Sequence, residues 1–458
     1  MSQAKLRKGI VRLLTGSGLL LLGLAEGGRA DEISELKAQL KAQQETMQQM
    51  QERLEQLEAR QRLKERSLRQ EIEQIAQKKS ETGPTDLRAF WKEGLNFATE
   101  DGNFKLKVGG RVQNDWLWIS EDKDLKADVG EQEDGTEFRR VRLYFEGLIY
   151  GNTEYKLQLD FAGGDADLKD VYLGLLDFPI GKLRFGHFKE PFSLEELTSS
   201  KYITFLERAL PNAFAPSRNA GFMLHCSEFE DRMTWAAGVF RDTDDYGEDV
   251  DDGGYNVTGR VTVLPIYEDK GASLLHLGAA YSYRNPDDAM RYRERPEAHL
   301  TSRFVDTGTF ASDRVDLWGL EAAWVNGPIS LQAEYIRADA DRMGTGSDVD
   351  FDGYYVQTSY FLTSEHRNYK ASEGAFSRVK PTNNFRFSGG PGAWEVAFRY
   401  SELDLDDKDI TGGRLENMTA GLNWHLNPNM RIMWNYVHAD KEHVGEADML
   451  LMRLQVDF

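Results

Sequence analysis

Three arginines that lie close together in the sequence could bind a small anion. Arg140 and Arg142 alternate with Val141 and Leu143, so an extended strand would place both guanidinium groups on one face. A guanidinium group holds its N–H donors in a fixed fork that suits a tetrahedral oxyanion. Arg139 falls on the opposite face, and a β-bulge or a turn would be needed to redirect its side chain. A second interpretation is that these arginines face acidic loop residues across a polar surface and set a local electric field.

The segments around these arginines follow a two-residue period. Apolar residues alternate with polar or charged ones over residues 104–112, 141–149 and 155–161. This alternation is typical of strands with one apolar face. Continued to residue 458, the pattern predicts about sixteen antiparallel strands, each roughly 9 to 11 residues long. Residues 363–392 show no clear alternation, so this segment could hide an error of two in the strand count.

The N-terminal segment predicts export. Residues 1–30 contain basic residues, then an apolar stretch, then small residues up to Gly28 and Ala30, which is the three-part pattern of a cleaved signal peptide. No later segment is apolar enough for a membrane helix. An exported chain with alternating strands suits a closed barrel with an apolar outer surface and a polar lumen, because closure pairs every backbone group. The single cysteine, Cys226, excludes an internal disulfide.

Short turns and long loops alternate along the predicted strands. Turn signals recur at residues 177–181, 228–231, 326–327 and 427–429, whereas other connections are long and acidic, as at residues 241–252. Outer-membrane barrels have one end with short turns and one with long loops. The last strand alternates up to Phe458, and this aromatic end resembles the recognition signal of outer-membrane assembly. We therefore predict an all-β transmembrane barrel over residues 101–458, in contact with outer-membrane lipid and lipopolysaccharide.

Residues 31–82 have a different period. Apolar residues recur in a heptad pattern, at Ile33, Leu40, Met47, Leu54, Leu68 and Ile75 in one core position and at Leu36, Met50 and Leu57 in the other. The pattern predicts a periplasmic α-helical coiled coil, followed by a linker over residues 83–100. Gln61, Lys64 and Glu71 interrupt the stripe, so a single charged helix or a disordered spacer is the alternative. A coiled coil here could align a homotrimer or contact peptidoglycan.

Other function classes find little support. The net charge of −20 argues against nucleic acid as a partner, because phosphate backbones recruit a surplus of Lys and Arg. His425 and His438 lack the spacing of a metal site and suit barrel-wall positions. The acidic run at 242–252 lacks the spacing of a calcium loop and suits a solvated loop. With no nucleophile beside a base and no phosphate-cradling glycine loop, we expect no enzyme activity and no cofactor.

Several short motifs resemble a known family. They are Phe138-Arg139-Arg140, Phe188-Lys189-Glu190-Pro191-Phe192-Ser193, Thr198-Ser199-Ser200, Phe205-Leu206-Glu207-Arg208-Ala209 and Pro216-Ser217-Arg218-Asn219. Together they resemble the phosphate-selective porins O and P, a family of trimeric sixteen-stranded barrels. Similar runs continue to the end of the chain, including Gly421-Leu422-Asn423-Trp424. The resemblance covers nearly the whole barrel and does not extend to the helix with comparable strength.

The resemblance implies a constriction site. In that family the loop after the fifth strand folds into the lumen, which corresponds to residues 190–219 here. The anion-binding residues that it implies are Arg139, Arg140, Ser199, Ser200 and Arg208, and strand alternation adds Arg142 to this predicted constriction. Asp170 corresponds to the acidic residue that orients the pair Arg139 and Arg140. Arg142 replaces a tyrosine found in some members, and the family's lysine from a late strand has no identified counterpart.

These observations favour one function and leave two alternatives. We predict a passive, water-filled porin channel in the outer membrane for small anions, with phosphate or a related oxyanion as the solute. A general or cation-preferring porin is the first alternative, because Glu195, Glu196 and Glu207 lie in the predicted constriction loop. The second is a structural protein whose coiled coil ties the outer membrane to the cell wall.

Overall fold

The structure is a computed structural model that describes residues 30–81, 86–250, 254–344 and 346–458. The chain forms two compact units that divide between Gly83 and Pro84. The predicted signal peptide at residues 1–30 lies outside the described residues apart from its last residue. The first part of the predicted linker, residues 83–85, also lies outside them.

The described part of the first unit is a single helix, α1 (Ala30–Glu81). Between Ala30 and Gly83 the sequence contains neither glycine nor proline and is rich in Ala, Leu, Glu, Gln, Lys and Arg, which are strong helix formers. The predicted helix is therefore confirmed, whereas its pairing into a coiled coil stays a prediction. None of the helices in the described residues combines the length and the apolar character needed to cross a lipid bilayer.

The second unit is a closed antiparallel barrel of sixteen strands, as the alternation predicts. The last strand pairs with the first from Ala447 opposite Glu121 to Asp457 opposite Arg111, so the wall has no open edge. The barrel strands are β3 (Lys105–Glu121), β4 (Gly135–Ile149), β5 (Thr153–Asp160), β6 (Asp167–Phe178), β7 (Gly181–Lys189), β8 (Arg218–Glu228), β9 (Met233–Arg241), β10 (Asn256–Glu268), β11 (Ser273–Arg284), β14 (Ser312–Asn326), β15 (Ile329–Arg342), β16 (Val349–Phe361), β19 (Ala393–Asp407), β20 (Ile410–Asn427), β21 (Met430–Lys441) and β22 (Gly445–Asp457).

The remaining elements are short. They are the strands β1 (Leu87–Trp91), β2 (Leu95–Thr99), β12 (Arg293–Glu294), β13 (Val305–Asp306), β17 (Tyr369–Lys370) and β18 (Ala375–Phe376), the helices α2 (Lys123–Val129) and α3 (Leu194–Leu197), and 3₁₀ turns at Leu210–Ala213, Asp269–Gly271 and Ala371–Glu373. Several of them belong to segments that enter the barrel.

The barrel wall is apolar outside and polar inside. In β22, Leu450, Leu454 and Val456 are exposed, whereas Arg453 and Gln455 are buried. Exposed apolar and buried polar side chains are the reverse of the arrangement in a water-soluble sheet. They are the pattern of a barrel that faces lipid on its outside. The two-residue period of the strands therefore separates the lipid surface from the lumen.

The segment predicted as a linker, residues 83–100, is partly structured, which corrects that prediction. β1 and β2 form a hairpin, and β2 pairs with the start of β3, with Leu95 opposite Val108. At that point β22 has already ended, because its last partner on β3 is Arg111. β2 therefore covers a strand edge that would otherwise be unpaired.

The irregular segment between β16 and β19 adds no strand to the wall. Its two short strands, β17 and β18, pair only with each other among the described residues. The segment bonds instead to inward-facing side chains: the Tyr369 hydroxyl lies 2.6 Å from His276 Nδ1, and Arg260 Nη2 donates to the Gly374 carbonyl at 2.9 Å. The inner part of this segment, residues 365–378, thus occupies part of the lumen from the end with the short turns, whereas residues 382–390 are mostly exposed.

The loop between the fifth and sixth barrel strands, residues 190–217, also lies inside the barrel. We name it the constriction loop. Its apolar residues Phe192, Leu206 and Leu210 are fully buried. It bonds to two separate parts of the wall. Glu334 of β15 accepts from the Leu194 and Glu195 amides at 2.9 and 2.7 Å, and Arg431 of β21 donates to the Ile203 carbonyl at 2.8 Å. These contacts hold the loop across the lumen.

Candidate anion-binding constriction

A β-bulge brings Arg139 to the same side as its neighbours. On β3, Gln113 pairs with Arg140 and Asn114 pairs with Phe138, so Arg139 has no partner of its own across this ladder. The extra residue rotates the strand locally. The Arg139 side chain then reaches the constriction loop, where Nε and Nη2 donate to the two carboxylate oxygens of Glu207 at 3.0 and 3.1 Å. All three predicted arginines therefore line one lumenal cavity.

Arg140 and Arg142 are more deeply buried than Arg139. Their side chains are 5% and 10% exposed, against 21% for Arg139. Arg140 Nη1 donates to Gln113 Oε1 at 3.0 Å and lies 3.7 Å from Glu207. Arg142 Nε donates to Asp160 at 2.7 Å. The strand alternation thus positions these two side chains as predicted, with neighbouring polar groups that hold their orientation.

Ser199 and Ser200 lie in the constriction loop and line the same cavity. Ser200 Oγ accepts a hydrogen bond from Arg111 Nη1, and its carbonyl accepts one from Gln113 Nε2 at 3.1 Å. Ser199 Oγ accepts from the Lys201 amide at 3.4 Å. The Ser200 hydroxyl therefore lies beside a cation, and both serines border the cavity, where their hydroxyls could replace part of an anion's lost hydration.

Arg208 has a different role from the other predicted arginines. Its guanidinium group binds Glu196 at 3.1 Å and also donates to the carbonyls of Glu195, Glu196 and Thr198 at 3.0 to 3.1 Å. It borders the cavity, but these contacts use most of its donors. Arg208 therefore ties two limbs of the constriction loop together.

The structure corrects the role predicted for Asp170. Its two carboxylate oxygens bind Arg218 at 2.7 Å and Lys156 at 3.0 Å, and β5, which carries Lys156, separates β6 from β4. Glu207 takes the orienting position beside Arg139 and Arg140, and it also binds Arg453 at 2.7 Å. Burial raises the pKa of Glu207, but Arg139, Arg140 and Arg453 outweigh that effect and hold it well below its ordinary value. Glu207 is thus an ionised centre shared by three arginines.

The acidic residues of the constriction loop are all paired with cations. Glu196 binds Lys189 at 2.9 Å and Arg208 at 3.1 Å. Burial raises the pKa of Glu196, but Arg208 and Lys189 lower it by more. Glu195 lies 3.4 Å from Arg399 and accepts from the Ala209 amide at 3.0 Å. These carboxylates therefore neutralise neighbouring cations.

Several lumenal cations were not among the predicted site residues. The cavity, of about 1130 Å³, is lined by fifteen Lys and Arg residues against eight Asp and Glu residues. The cations outside the predicted set include Lys107, Arg111, Lys156, Lys189, Lys201 and Arg218. Lys107 and Arg111 lie on the polar face of the predicted strand, so alternation could have identified them. Lys189 and Lys201 lie in or beside the quoted loop motifs, but only the folded loop shows where they point.

Arg111 and Lys201 are the cations of this group with the weakest carboxylate pairing. Among the described residues Arg111 has no carboxylate within ion-pair distance, and its buried Nε has no hydrogen-bond partner. Lys201 Nζ lies 3.9 Å from Asp457. Burial, and next the nearby Arg111, lower the pKa of Lys201 to about 7. A bound anion would supply the negative charge that both groups lack.

Comparisons with known proteins agree with the fold and the motifs. The family model described as "Phosphate-selective porin O and P" matches residues 106–458. Porin O of Pseudomonas aeruginosa is 29% identical over 439 residues, covering 82% of this chain and 94% of that protein. An uncharacterised protein of Caulobacter vibrioides is 32% identical over 374 residues, covering 78% of this chain and 72% of that protein. The structural alignment with the in-vitro folded OmpT of Vibrio cholerae, in its trimer form, covers 78% of this chain and 99% of the OmpT chain, with a TM-score of 0.50 and 11% identity. This similarity indicates a shared fold.

Proposed function

Because this chain belongs to the phosphate-selective porin O and P family and is an outer-membrane porin channel, we propose that it conducts small anions, with phosphate or a related oxyanion as its solute. The solute class rests on the charge of the lumen together with the family. Conduction needs binding that is favourable enough for entry and weak enough for release. Many cations spread along one cavity suit this requirement better than one tight site.

The supporting observation is the change in sign between the chain and its lumen. The whole chain carries a net charge of −20, yet the lumenal cavity has nearly twice as many cationic as acidic residues. Exposed charges more than about 8 Å away are largely screened at physiological salt. The charge at the constriction therefore governs ion selectivity.

We assign the main anion contacts to Arg111, Arg140, Ser200 and Lys201. Arg111 and Ser200 already share a hydrogen bond, and Arg111 retains a buried Nε without a partner. Hydrogen bonds from charged donors to oxyanions are about twice as strong as neutral ones. A phosphate oxygen could accept from Arg111 without displacing a carboxylate, because Arg111 binds none among the described residues.

The geometry supports anion selectivity over the cation-preferring alternative. That alternative requires Glu195, Glu196 or Glu207 to present negative charge to the pore. Each is instead within 4 Å of at least one arginine, and Glu195 and Glu207 are not among the cavity-lining residues. Their charges are compensated where they lie.

The proposal is tested by reversal potentials in planar bilayers under a KCl gradient. We expect wild-type channels to select chloride over potassium, and we expect added phosphate to reduce the chloride current. Arg140→Glu should shift the reversal potential towards potassium. Arg337→Glu is the matched control, because Arg337 is 43% exposed and lies outside the cavity. Potassium-selective wild-type channels, or equal behaviour of both variants, would remove the anion assignment.

We also propose that the barrel assembles as a homotrimer with its short turns and α1 in the periplasm. Outer-membrane barrels place short turns on that side, and the matched form of the Vibrio cholerae OmpT is described as a trimer. Chemical cross-linking of the purified protein, followed by gel analysis, should show a limiting species of three chains. Protease added outside intact cells should leave α1 uncut.

A further inference from the structure

Helix α1 carries an exposed apolar stripe. Leu40, Met47 and Leu54 are spaced by seven residues, and Met50 and Leu57 follow at intervals of three. Each of these five side chains is between 53% and 63% exposed. A stripe that repeats every seven residues is the core seam of a coiled coil when it is buried against another helix. The exposed stripe on α1 therefore has the spacing of a surface that packs against another helix.

The charges beside the stripe indicate which partner it fits. If Leu40, Met47 and Leu54 occupy position a, then Arg53 and Arg60 occupy position g, and Glu58 and Glu65 occupy position e. These flanking positions form the salt bridges that set partner choice and orientation in coiled coils. The apolar stripe and its flanking charges therefore act together in selecting a partner helix.

Only one orientation of a second identical helix makes these charges attractive. In a parallel, in-register pair each g residue meets the e residue five positions later on the other helix, so Arg53 meets Glu58 and Arg60 meets Glu65 of the other copy. In an antiparallel pair g meets g and e meets e, so neither arginine would meet either glutamate. The charge pattern thus selects the parallel arrangement.

The Glu58 side chain remains available for pairing with another copy of the helix. Glu58 contacts Arg62 one turn later on the same helix at 3.5 Å, and both side chains are more than half exposed. Such an exposed pair within one helix contributes little to stability, so it does not compete strongly. Gln61 and Lys64 occupy core positions next to the charged segment, and polar core residues fix register at some cost in stability.

We propose that α1 binds the α1 helices of other copies of this chain in a parallel, in-register coiled coil. Its apolar seam runs from Leu40 to Leu57, and Arg53 with Glu58 and Arg60 with Glu65 pair between chains. This inference does not depend on which solute the channel conducts. It assigns a second interface to the protein, separate in sequence from the barrel.

Cysteine cross-linking of the full-length protein tests the proposal. In a Cys226→Ser background, single cysteines are placed by Met47→Cys or Leu57→Cys at the seam and by Ala59→Cys on the opposite face. We expect Met47→Cys and Leu57→Cys each to form disulfides between copies, at least about tenfold faster than Ala59→Cys. An antiparallel pair could join identical residues at one point at most, so cross-linking at both positions requires the parallel register. Equal rates at all three positions would overturn the proposal, since tethering by the barrel alone predicts that result.

A charge exchange provides an independent test. Arg53→Glu with Arg60→Glu should slow the Leu57→Cys cross-link at least about tenfold, because it places like charges opposite one another. Adding Glu58→Arg and Glu65→Arg should restore the rate. A helix that is merely damaged by the first two substitutions would not recover after two more. Failure of the fourfold variant to recover, or insensitivity to the first pair, would contradict the paired charges.

Discussion

Replacement of Arg111 by glutamine should weaken phosphate binding without disturbing the barrel. Arg111 lies on β3, and its guanidinium group lines the cavity and donates to Ser200 Oγ. It has no carboxylate partner among the described residues, so Arg111→Gln leaves no acidic group unpaired. Glutamine also retains an amide donor that can reach towards the serine. The change therefore removes one positive charge from the constriction and little else.

The expected magnitude follows from the donors that are lost. A hydrogen bond to a charged group contributes about 1.5 to 3 kcal/mol. Because each 1.4 kcal/mol is a factor of ten in affinity, the loss of one such contact corresponds to roughly a tenfold to hundredfold weaker phosphate site. The Nε donor is buried and has no partner in the structure, so a phosphate oxygen would not have to displace an existing bond there.

The assay is the block of chloride current by phosphate in single channels. For Arg111→Gln, the phosphate concentration that halves the current should rise by that factor. Arg111→Lys is the control, because it preserves the charge and should lie between wild type and the glutamine variant. Glutamine and wild-type channels with the same half-blocking concentration would show that Arg111 does not contact the anion, and would contradict its place in the site.

Three further perturbations test other parts of the structure. Burial, and next the nearby Arg111, lower the pKa of Lys201 to about 7, so its ammonium group is charged below that pH and neutral above it. Chloride selectivity should therefore decrease as the pH rises from about 6 to about 8, a range far below the usual lysine pKa. Lys201→Met should abolish this pH dependence. Glu207→Gln leaves Arg139 and the buried Arg140 and Arg453 without their shared carboxylate, which should cost about 3 to 5 kcal/mol and accelerate amide hydrogen exchange in the constriction loop. Glu137→Gln, which loses only a partly exposed contact with His299, is the control, and equal exchange in both variants would count against Glu207 as the centre. On the lipid face, Leu454→Arg should lower the free energy of unfolding, measured by urea titration in vesicles, by about 2 to 4 kcal/mol. The control Leu454→Met should change it by less than about 1.5 kcal/mol, and two equally stable variants would mean that Leu454 does not face lipid.

The wall of the barrel could be predicted because it depends on local geometry. Successive side chains of a strand point to opposite faces, so alternation in β22 already separated Leu450 and Leu454 from Arg453 and Gln455. Closure followed from the need to pair every backbone group in lipid. Alternation could not describe residues 365–378, because a segment that folds inward has no lipid face to maintain.

The candidate site could be predicted only in part. Alternation placed Arg140 and Arg142 inside, but Arg139 required a bulge that pairs Asn114 with Phe138. No local pattern indicates such an insertion reliably. Family resemblance located the constriction loop and its serines, yet it assigned the orienting carboxylate to Asp170, where the structure has Glu207.

The residues alone therefore determined a strand-built membrane barrel preceded by a heptad-patterned helix, because both periods arise from backbone geometry within a few residues. The folded chain alone decided which charges meet. Glu207 joins Arg139 and Arg453, which are 68 and 246 residues away in the sequence, and Arg111 meets Ser200 across 89 residues. Such pairs depend on how an entire loop packs inside the wall, and a charged side chain binds whichever opposite charge the packing brings within reach.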